Sequence, residues 1–360
     1  MTMIVQKDFF KDFVLPREQS SDTLNFYAHY NDINKRVLND TSDFNGNEEP
    51  LVSILMTTYN RREYVVQCIQ TILKQSYTNI EFIIVDDNST DDTRDAIYEV
   101  LKNSKCRIKF IKTEGKRGPG LNKRLGWNYI QGQYVIFLDD DDYFVSRNFI
   151  PQSVKVLLTH PSLSVVAFNS YMELVEKDRL LITPTLHPLN KIIKSEDALH
   201  SFMSTLPKPN STFPAVFNVS KLKKSKISEM KILNDTQIWL RGFLAGDVMF
   251  MSDYVGVYRV HSGSIGYNLD VDLILDNLNE KIQLYTEKSF PFSDSSWIEN
   301  QVMITLNYYF YKSQQVNYHK IYHWLFNNFK MKSAFSISKK CIKIRIKYHL
   351  VKIIKQFYKK

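Results

Sequence analysis

Short apolar segments alternate with helical segments along residues 51–138, and this alternation limits the fold more than any other feature of the chain. Each apolar segment has the length of a buried strand, and the stretches between them show helical periodicity. Strands that alternate with helices form a mostly parallel sheet flanked by helices. We therefore predict an α/β domain with strands at 51–56, 80–85, 107–112 and 134–138 and helices at 62–75, 93–102 and 121–131.

Polar clusters follow three of the predicted strands. They are Thr57-Thr58-Tyr59-Asn60, Asp86-Asp87-Asn88 and the aspartate block Asp139 to Asp142. In open α/β sheets, ligands bind outside the carboxyl ends of the strands. We expect these three clusters to lie together at one edge of the sheet, and this edge is the candidate functional site.

The aspartate block itself allows two interpretations. Four adjacent carboxylates repel one another, so a compensating positive charge is expected nearby. A hard divalent cation such as Mg²⁺ takes oxygen ligands and commonly bridges carboxylates to phosphate groups. The alternative is a solvated acidic turn. The other two clusters at the same sheet edge favour a metal–phosphate site.

The net charge of +9 is unevenly distributed along the 360 residues. No acidic residue follows Glu299, whereas residues 300–360 contain thirteen lysines and arginines. A basic segment of this kind favours an anionic partner, either a membrane or a nucleic acid. The three cysteines show no metal-binding spacing, and the amino terminus does not have the pattern of a signal peptide. The expected location is cytoplasmic.

Three ordered motifs resemble the family 2 glycosyltransferases, which have the GT-A fold. The matching segments are Ile54 to Arg61, Phe82 to Asp91 and Tyr134 to Asp142, and the resemblance extends over roughly residues 50–265. It implies transfer of a sugar from a nucleotide-sugar, commonly a UDP-sugar, with a divalent metal (Mn²⁺ or Mg²⁺) and inversion at the anomeric carbon. Beyond the domain, we expect a helical, basic C-terminal extension.

The resemblance assigns donor-binding roles to several residues. Thr57 and Tyr59 match positions that hold the nucleoside, and Asp87 matches the carboxylate that accepts a hydrogen bond from uracil. The alternative for Asp87 is a capping role for the helix at residue 93, and Asp86 is expected to support the loop.

The metal motif of the family, Asp-any-Asp, maps onto Asp139 and Asp141. Because all four positions are aspartate, the register is ambiguous by one residue. The neighbouring Asp140 is expected to act through water or the ribose.

Basic residues are expected to reach the donor diphosphate. Either Lys123 or Arg124 lies near the start of a predicted helix, where anions bind, although both also fit a solvated helix face. Further along, Tyr258-Arg259-Val260-His261 resembles a family segment in which His261 contacts the metal or the diphosphate and Arg259 assists.

The segment Asn234 to Arg241 resembles the family helix that carries the general base. The first acidic position of the family is Asn234 here, while Asp235 keeps the position of the base that removes the acceptor proton. The alternative is that Asp235 caps the following helix.

Residues 339–360 combine nine lysines and arginines with regularly spaced apolar residues. Residues 342–347 also alternate as an edge strand would, but we predict a helix whose apolar face includes residues 342, 346, 350, 353, 354 and 357. Such a basic amphipathic helix suits an anionic membrane surface. The alternative is a Lys-rich helix docked on the protein body.

Together these features predict four regions: an extension and linker (1–50), a nucleotide-sugar-binding half (51–145), an acceptor-binding half (146–268) and the helical, basic region (269–360). The expected acceptor is a saccharide or lipid-linked saccharide in cell-surface polysaccharide synthesis, and no nucleic acid partner is expected. Two other classes compete: a nucleotidyltransferase with a carboxylate–metal site, and a non-catalytic protein that binds anionic surfaces.

Overall fold

A computed structural model of the chain describes residues 3–4, 49–182, 187–262, 270–313 and 315–357. The predicted extension and linker at 1–50 lies outside the described residues, apart from residues 3–4 and 49–50. The chain divides into two compact units, Met1–His261 and Ser262–Lys360. All the site residues predicted from the sequence belong to the first unit.

The first unit contains the predicted parallel ladder. Its four strands are β2 (Val52–Thr58), β3 (Ile80–Asp86), β4 (Arg107–Lys112) and β5 (Tyr134–Asp139), ordered β5-β2-β3-β4 in the sheet with parallel pairing throughout. The helices that connect them are α1 (Arg62–Leu73), α2 (Thr93–Leu101) and α3 (Pro119–Trp127). The sequence prediction for this half is confirmed, with element ends displaced by a few residues.

Alternate residues of the parallel strands face different helices. Ile54 and Phe82 belong to a core cluster that includes residues of α1 and α2. Leu55 and Ile83 face Gly126 of α3 on the opposite side of the sheet. Strands β2, β3 and β5 are thus buried on both faces, which explains why they are continuously apolar, whereas the edge strand β4 is largely exposed and alternates basic with apolar residues.

The rest of the first unit adds strands of mixed direction. Strand β10 (Ala215–Asn218) lies antiparallel between β5 and β7 (Leu163–Leu174), and β7 pairs in parallel with the long strand β11 (Asp247–Val260). The remaining strands are β1 (Met3–Ile4), β6 (Tyr143–Phe144), β8 (Arg179–Ile182) and β9 (Ile192–Ile193). The parallel character therefore belongs to strands β2 to β5, while the strands from β6 onward pair in mixed directions.

Four helices accompany this second half: α4 (Phe149–Thr159), α5 (Ser195–Ser201), α6 (Val219–Lys224) and α7 (Asp235–Ala245). Helix α7 carries the predicted base at its first residue. Its interior residues Trp239 and Phe243 are fully buried and pack on the aromatic rings of Phe217 and Phe202, respectively. This packing fixes the helix, and with it the position of Asp235.

The second unit is helical, as predicted. It consists of α8 (Val271–Thr286), α9 (Ser296–Lys312), α10 (Tyr318–Asn328) and α11 (Met331–Phe357). Its core contains Leu278, Leu306, Phe310, Ile321 and Leu325, all fully buried. Within the described part of the chain, no helix is both long and apolar enough to cross a bilayer.

A buried carboxylate joins three of the parallel strands at their amino-terminal ends. Glu81 of β3 accepts hydrogen bonds from the Ser53 hydroxyl of β2 and from the Gln131 and Gly132 backbone N–H groups before β5. The pairing register between two strands sets the relative positions of both of their ends. This junction at the amino-terminal ends therefore also aligns the carboxyl ends of the strands, where the polar clusters lie.

We predict that Gly132→Ala destabilises the first unit by about 2–3 kcal/mol. A Cβ at this position would lie 2.7 Å from the Leu51 carbonyl oxygen and 2.9 Å from the Ser53 backbone nitrogen, neither of which can move without breaking the junction. Urea unfolding followed by circular dichroism measures the change. Gly115→Ala is the matched control, because its Cβ would meet nothing within 4 Å. Equal stability of the two variants would contradict the role given to the junction.

Candidate active site

The register of the parallel strands brings the three polar clusters together. Thr57 lies directly beside Asp139, and Thr58 lies beside Asp86. The Thr58 hydroxyl donates to Asp140 Oδ2 at 2.7 Å. Tyr59 is half-buried at the same edge, and the Lys116 ammonium lies 4.2 Å from the centre of its ring.

Asp87 organises the loop before α3. Its two carboxylate oxygens accept the backbone N–H groups of Arg117 (2.7 Å) and Gly118 (2.8 Å). It does not cap α2, where Asp91 instead accepts from Thr93 N. Asp86 supports its own loop, as expected, by accepting from the Ser89 backbone and hydroxyl. The structure therefore decides against capping for Asp87, and its contact with a uracil ring stays a prediction.

The aspartate block is not a solvated turn. Asp140, Asp141 and Asp142 are 2%, 8% and 1% exposed. Buried carboxylates need partners, and all four aspartates contact polar or charged groups. This observation overturns the alternative of a solvated acidic turn that the isolated block allowed.

The partners of the first three carboxylates are cations. Asp139 Oδ1 lies 2.8 Å from Lys123 Nζ. The guanidinium of Arg61 contacts both Asp140 (2.8 Å) and Asp141 (2.7 Å) through Nη1.

The outer end of the block is attached to the end of β11. Asp141 Oδ2 lies 2.9 Å from His261 Nε2. Asp142 accepts from the Arg259 backbone N–H and the Ser211 hydroxyl, both at 3.1 Å, so its contacts join β11 and the 211 loop to the block. These bonds give Asp142 a structural role.

The four carboxylates differ in how readily they ionise. Burial raises the pKa of Asp139 and Asp140 despite their cations, and it raises the pKa of Asp142 well above its usual range. Burial acts in the same direction on Asp141, but the hydrogen bond from His261 and the charge of Arg61 outweigh it and lower the Asp141 pKa. Asp141 is thus the carboxylate best suited to hold a cation.

Asp235 lies in the first turn of α7 and faces the same site. The helix is capped by Asn234, whose side chain accepts from Gln237 N, so the capping alternative for Asp235 is wrong. Asp235 Oδ1 lies 3.7 Å from Lys123 Nζ, and Asp235 Oδ2 lies 3.8 Å from Lys208 Nζ. The buried Lys123 ammonium thus stands between Asp235 and Asp139.

Arg259 reaches the site but is held by the protein. Its guanidinium bonds to Glu173, Gln67 and the Asp141 carbonyl, and it lies over the rings of Tyr64 and Tyr143. Its neighbour His261 stacks on the Tyr64 ring at 5.4 Å.

Arg124 is not brought to the aspartate block. Its guanidinium donates to the carbonyls of Ser228 and Met230 and to Asn128, so it fastens α3 to the segment before α7. Of the pair Lys123 and Arg124, which the sequence left open, the structure places Lys123 at the site.

Two site residues were missed in the sequence. Arg61 ends the first motif, and its position directly after a strand-end cluster was a usable signal for a partner of the aspartates. Lys208, beside Asp235, belongs to a loop without a recognisable motif. Burial lowers the pKa of Lys208, an effect that the nearby Asp235 charge opposes.

The donors present suit a divalent cation. The separation of 2.9 Å between Asp141 Oδ2 and His261 Nε2 matches that of two adjacent ligands of an octahedral ion with bonds of about 2.1 Å. Asp139 faces Lys123 instead, and the described residues contain no group of three or more His, Cys, Asp and Glu arranged to hold a metal. Magnesium sites commonly use one or two carboxylates and complete their shell with phosphate and water. Asp141 and His261 therefore fit such an ion.

Comparison with known proteins gives the same family as the motifs. Residues 53–205 match the model of glycosyl transferase family 2. The Escherichia coli protein UDP-Glc:alpha-D-GlcNAc-diphosphoundecaprenol beta-1,3-glucosyltransferase WfaP is 31% identical over 229 residues, which cover 62% of this chain and 83% of that protein. The Campylobacter jejuni GalNAc(5)-diNAcBac-PP-undecaprenol beta-1,3-glucosyltransferase is 25% identical over 300 residues, covering 79% and 89%.

Other matches are shorter or are structural. An uncharacterized glycosyltransferase of Haemophilus influenzae is 38% identical over 111 residues, and the chain spans only 44% of its length. The crystal structure of S. aureus TarS 1-349 in complex with UDP-GlcNAc aligns with a TM-score of 0.59 at 17% identity, covering 82% of this chain and 89% of that chain. This structural likeness confirms the predicted fold.

We predict that Lys123→Met destabilises the protein by about 3 kcal/mol, because it leaves the partly buried Asp139 carboxylate, whose side chain is 31% exposed, without its cation. Denaturant unfolding measures the loss. Lys105→Met makes the same change at an exposed position and is expected to stay within about 0.5 kcal/mol of the wild type. A Lys123→Met protein as stable as this control would show that the ammonium does not compensate the block.

Proposed function

The chain belongs to the family 2 glycosyltransferases, and we propose that it is an inverting, metal-dependent member that transfers a sugar from a UDP-sugar to a hydroxyl group of a lipid-linked saccharide. The observation that carries this proposal is the position of Lys123, 2.8 Å from Asp139 and 3.7 Å from Asp235. One buried ammonium thus joins the metal-motif strand to the candidate base. Family membership also decides against the nucleotidyltransferase and non-catalytic alternatives.

The donor end of the site is formed by the strand-end residues. Thr57 and Tyr59 bind the nucleoside, Asp87 accepts from its base, and Asp140 contacts the ribose directly or through water. Asp141 and His261 would hold the divalent ion, with Asp139 completing the motif beside Lys123. The ion would supply positive charge for the departing diphosphate. Lys123 and Arg259 add fixed positive charge on the same side.

Transfer takes place at Asp235 in a single displacement. The acceptor oxygen forms a bond to the anomeric carbon while the bond from that carbon to the diphosphate oxygen breaks, and the nucleoside diphosphate leaves with the electron pair. The hydroxyl proton passes to the Asp235 carboxylate. The lysine contacts of Asp235, at 3.7 and 3.8 Å, are longer than hydrogen bonds. The Thr212 hydroxyl donates to Asp235 Oδ1 over a long 3.5 Å, so Oδ2 is the oxygen that we assign to the acceptor proton.

The named relatives support the acceptor class. The E. coli and C. jejuni proteins carry diphosphoundecaprenol or PP-undecaprenol in their names, which denote saccharides on a lipid diphosphate. We therefore assign this chain to cell-surface polysaccharide synthesis at the cytoplasmic face of the membrane.

We predict that Asp235→Asn lowers the single-turnover rate of sugar transfer by about 10²–10⁴-fold, because the amide cannot accept the acceptor proton. Affinity for UDP in the presence of Mn²⁺ is expected to stay unchanged. Asp95→Asn, an exposed position on α2, is the matched control. Unimpaired transfer by Asp235→Asn would remove this residue from the role of base.

The second unit offers a surface for the membrane. On α11, Ile337 and Cys341 are buried in the core of this unit, while Met331, Phe335 and Ile342 are 61%, 51% and 48% exposed. Four lysines of the same helix are also exposed, namely Lys332, Lys339, Lys340 and Lys343. A helix that exposes both apolar side chains and lysines matches an anionic lipid surface. The side chains of the predicted face beyond Ile342 lie outside the described residues.

We predict that replacing Lys339, Lys340 and Lys343 together by glutamate abolishes cosedimentation with phosphatidylglycerol vesicles, since each basic residue near such a surface contributes about 1 kcal/mol. Binding to phosphatidylcholine vesicles is expected to be weak for all variants. The control reverses the exposed Lys105, Lys155 and Lys177 of the first unit and is expected to bind as the wild type does. Wild-type protein that binds duplex DNA but not these vesicles would contradict the assignment.

A further inference from the structure

Arg61 occupies an unusual position in the aspartate block. It is the residue directly before α1, and a single guanidinium nitrogen, Nη1, contacts Asp140 Oδ1 at 2.8 Å and Asp141 Oδ2 at 2.7 Å. The two carboxylates lie beside each other in a buried environment, where their charges repel strongly. Arg61 therefore supplies positive charge that holds the pair together.

The same carboxylate oxygen serves two partners. Asp141 Oδ2 contacts both Arg61 Nη1 and His261 Nε2, and Asp141 and His261 are the donors that fit a divalent cation. A cation bound to this oxygen would face a guanidinium that already contacts it. Two positive groups within a few ångströms of each other repel, so the cation and Arg61 compete for this position.

The cations of the block differ in their exposure to solvent. The Lys123 side chain is 4% exposed and lies between two carboxylates, whereas the Arg61 side chain is 24% exposed. Arg61 makes no side-chain capping bond to α1. A planar guanidinium is well suited to bind a diphosphate through two parallel hydrogen bonds. Arg61 can thus leave the carboxylates for the donor while Lys123 stays.

We propose that Arg61 is a displaceable counter-ion, which neutralises Asp140 and Asp141 in the metal-free protein and moves to the donor diphosphate when a divalent cation binds. This inference rests on the proposed metal-dependent function. It makes metal and donor binding mutually supportive, because the diphosphate stabilises the displaced guanidinium and the cation replaces its charge at the carboxylates.

Calorimetric titration of the full chain with Mn²⁺, in the absence and presence of UDP, tests the proposal. In the wild type, UDP is expected to strengthen Mn²⁺ binding about tenfold. Arg61→Met is expected to bind Mn²⁺ alone about tenfold more tightly than the wild type, and to gain less from UDP. Arg62→Met removes the same charge from the next, exposed residue and is expected to behave as the wild type does. Asp141→Asn, which removes a donor, is expected to lose Mn²⁺ binding.

A second pair of variants keeps the test decisive if Arg61→Met does not fold. In an Asp140→Asn background the repulsion that Arg61 offsets is smaller, and adding Arg61→Met is again expected to tighten Mn²⁺ binding without UDP. If Mn²⁺ binds the wild type and the Arg61 variants equally well, the counter-ion role is wrong while the metal site stands. If Mn²⁺ binds none of the proteins, with or without UDP, the metal-dependent function fails and this proposal fails with it.

Discussion

Compensation of buried negative charge at residues 139–142 is the interaction on which the arrangement of the first unit depends. Leaving one such carboxylate unpaired costs about 3–5 kcal/mol, a large part of the stability of a typical domain. The partners of the block come from separate elements: Arg61 precedes α1, Lys123 lies in α3, the Arg259 backbone N–H lies near the end of β11, and His261 directly follows that strand. Elements distant in sequence are therefore held at one edge of the sheet by the carboxylates themselves.

The four aspartates differ in their roles: some support the structure, and others are suited to bind a ligand. Asp142 binds a backbone N–H and a hydroxyl, both of which belong to the protein framework. Asp141 has a lowered pKa and pairs with His261, an arrangement that suits exchange of its partners for a cation. The sequence left open which aspartates match the metal motif of the family, and these contacts reduce the choice. Asp141 is favoured as a direct ligand, and Asp139 is favoured as the partner of Lys123.

The sequence predicted the parts of the fold that depend on local pattern. Strands β2 to β5 and their helices follow from apolar runs and helical periodicity, and the parallel rule then places Thr57 and Asp139 at one edge. The mixed strand directions after β5 were not predicted. Strand β10 runs antiparallel between β5 and β7, and pairing between strands so distant in sequence leaves no local pattern. The cap of α7 also depended on tertiary context, since Asn234 and Asp235 are both good capping residues and only the structure shows which one caps.

Residues whose role comes from partners distant in sequence were the hardest to predict. Lys208 approaches Asp235 from a loop, and Arg124, adjacent to Lys123, points to carbonyls instead of carboxylates. Adjacent residues of a helix are separated by about 100° around its axis, so one of two neighbouring cations faces the site while the other faces away. Lys123 and Arg124 are equivalent by composition and motif. They are distinguished by the packing of α3 against the sheet, which turns Lys123 inward between Asp139 and Asp235.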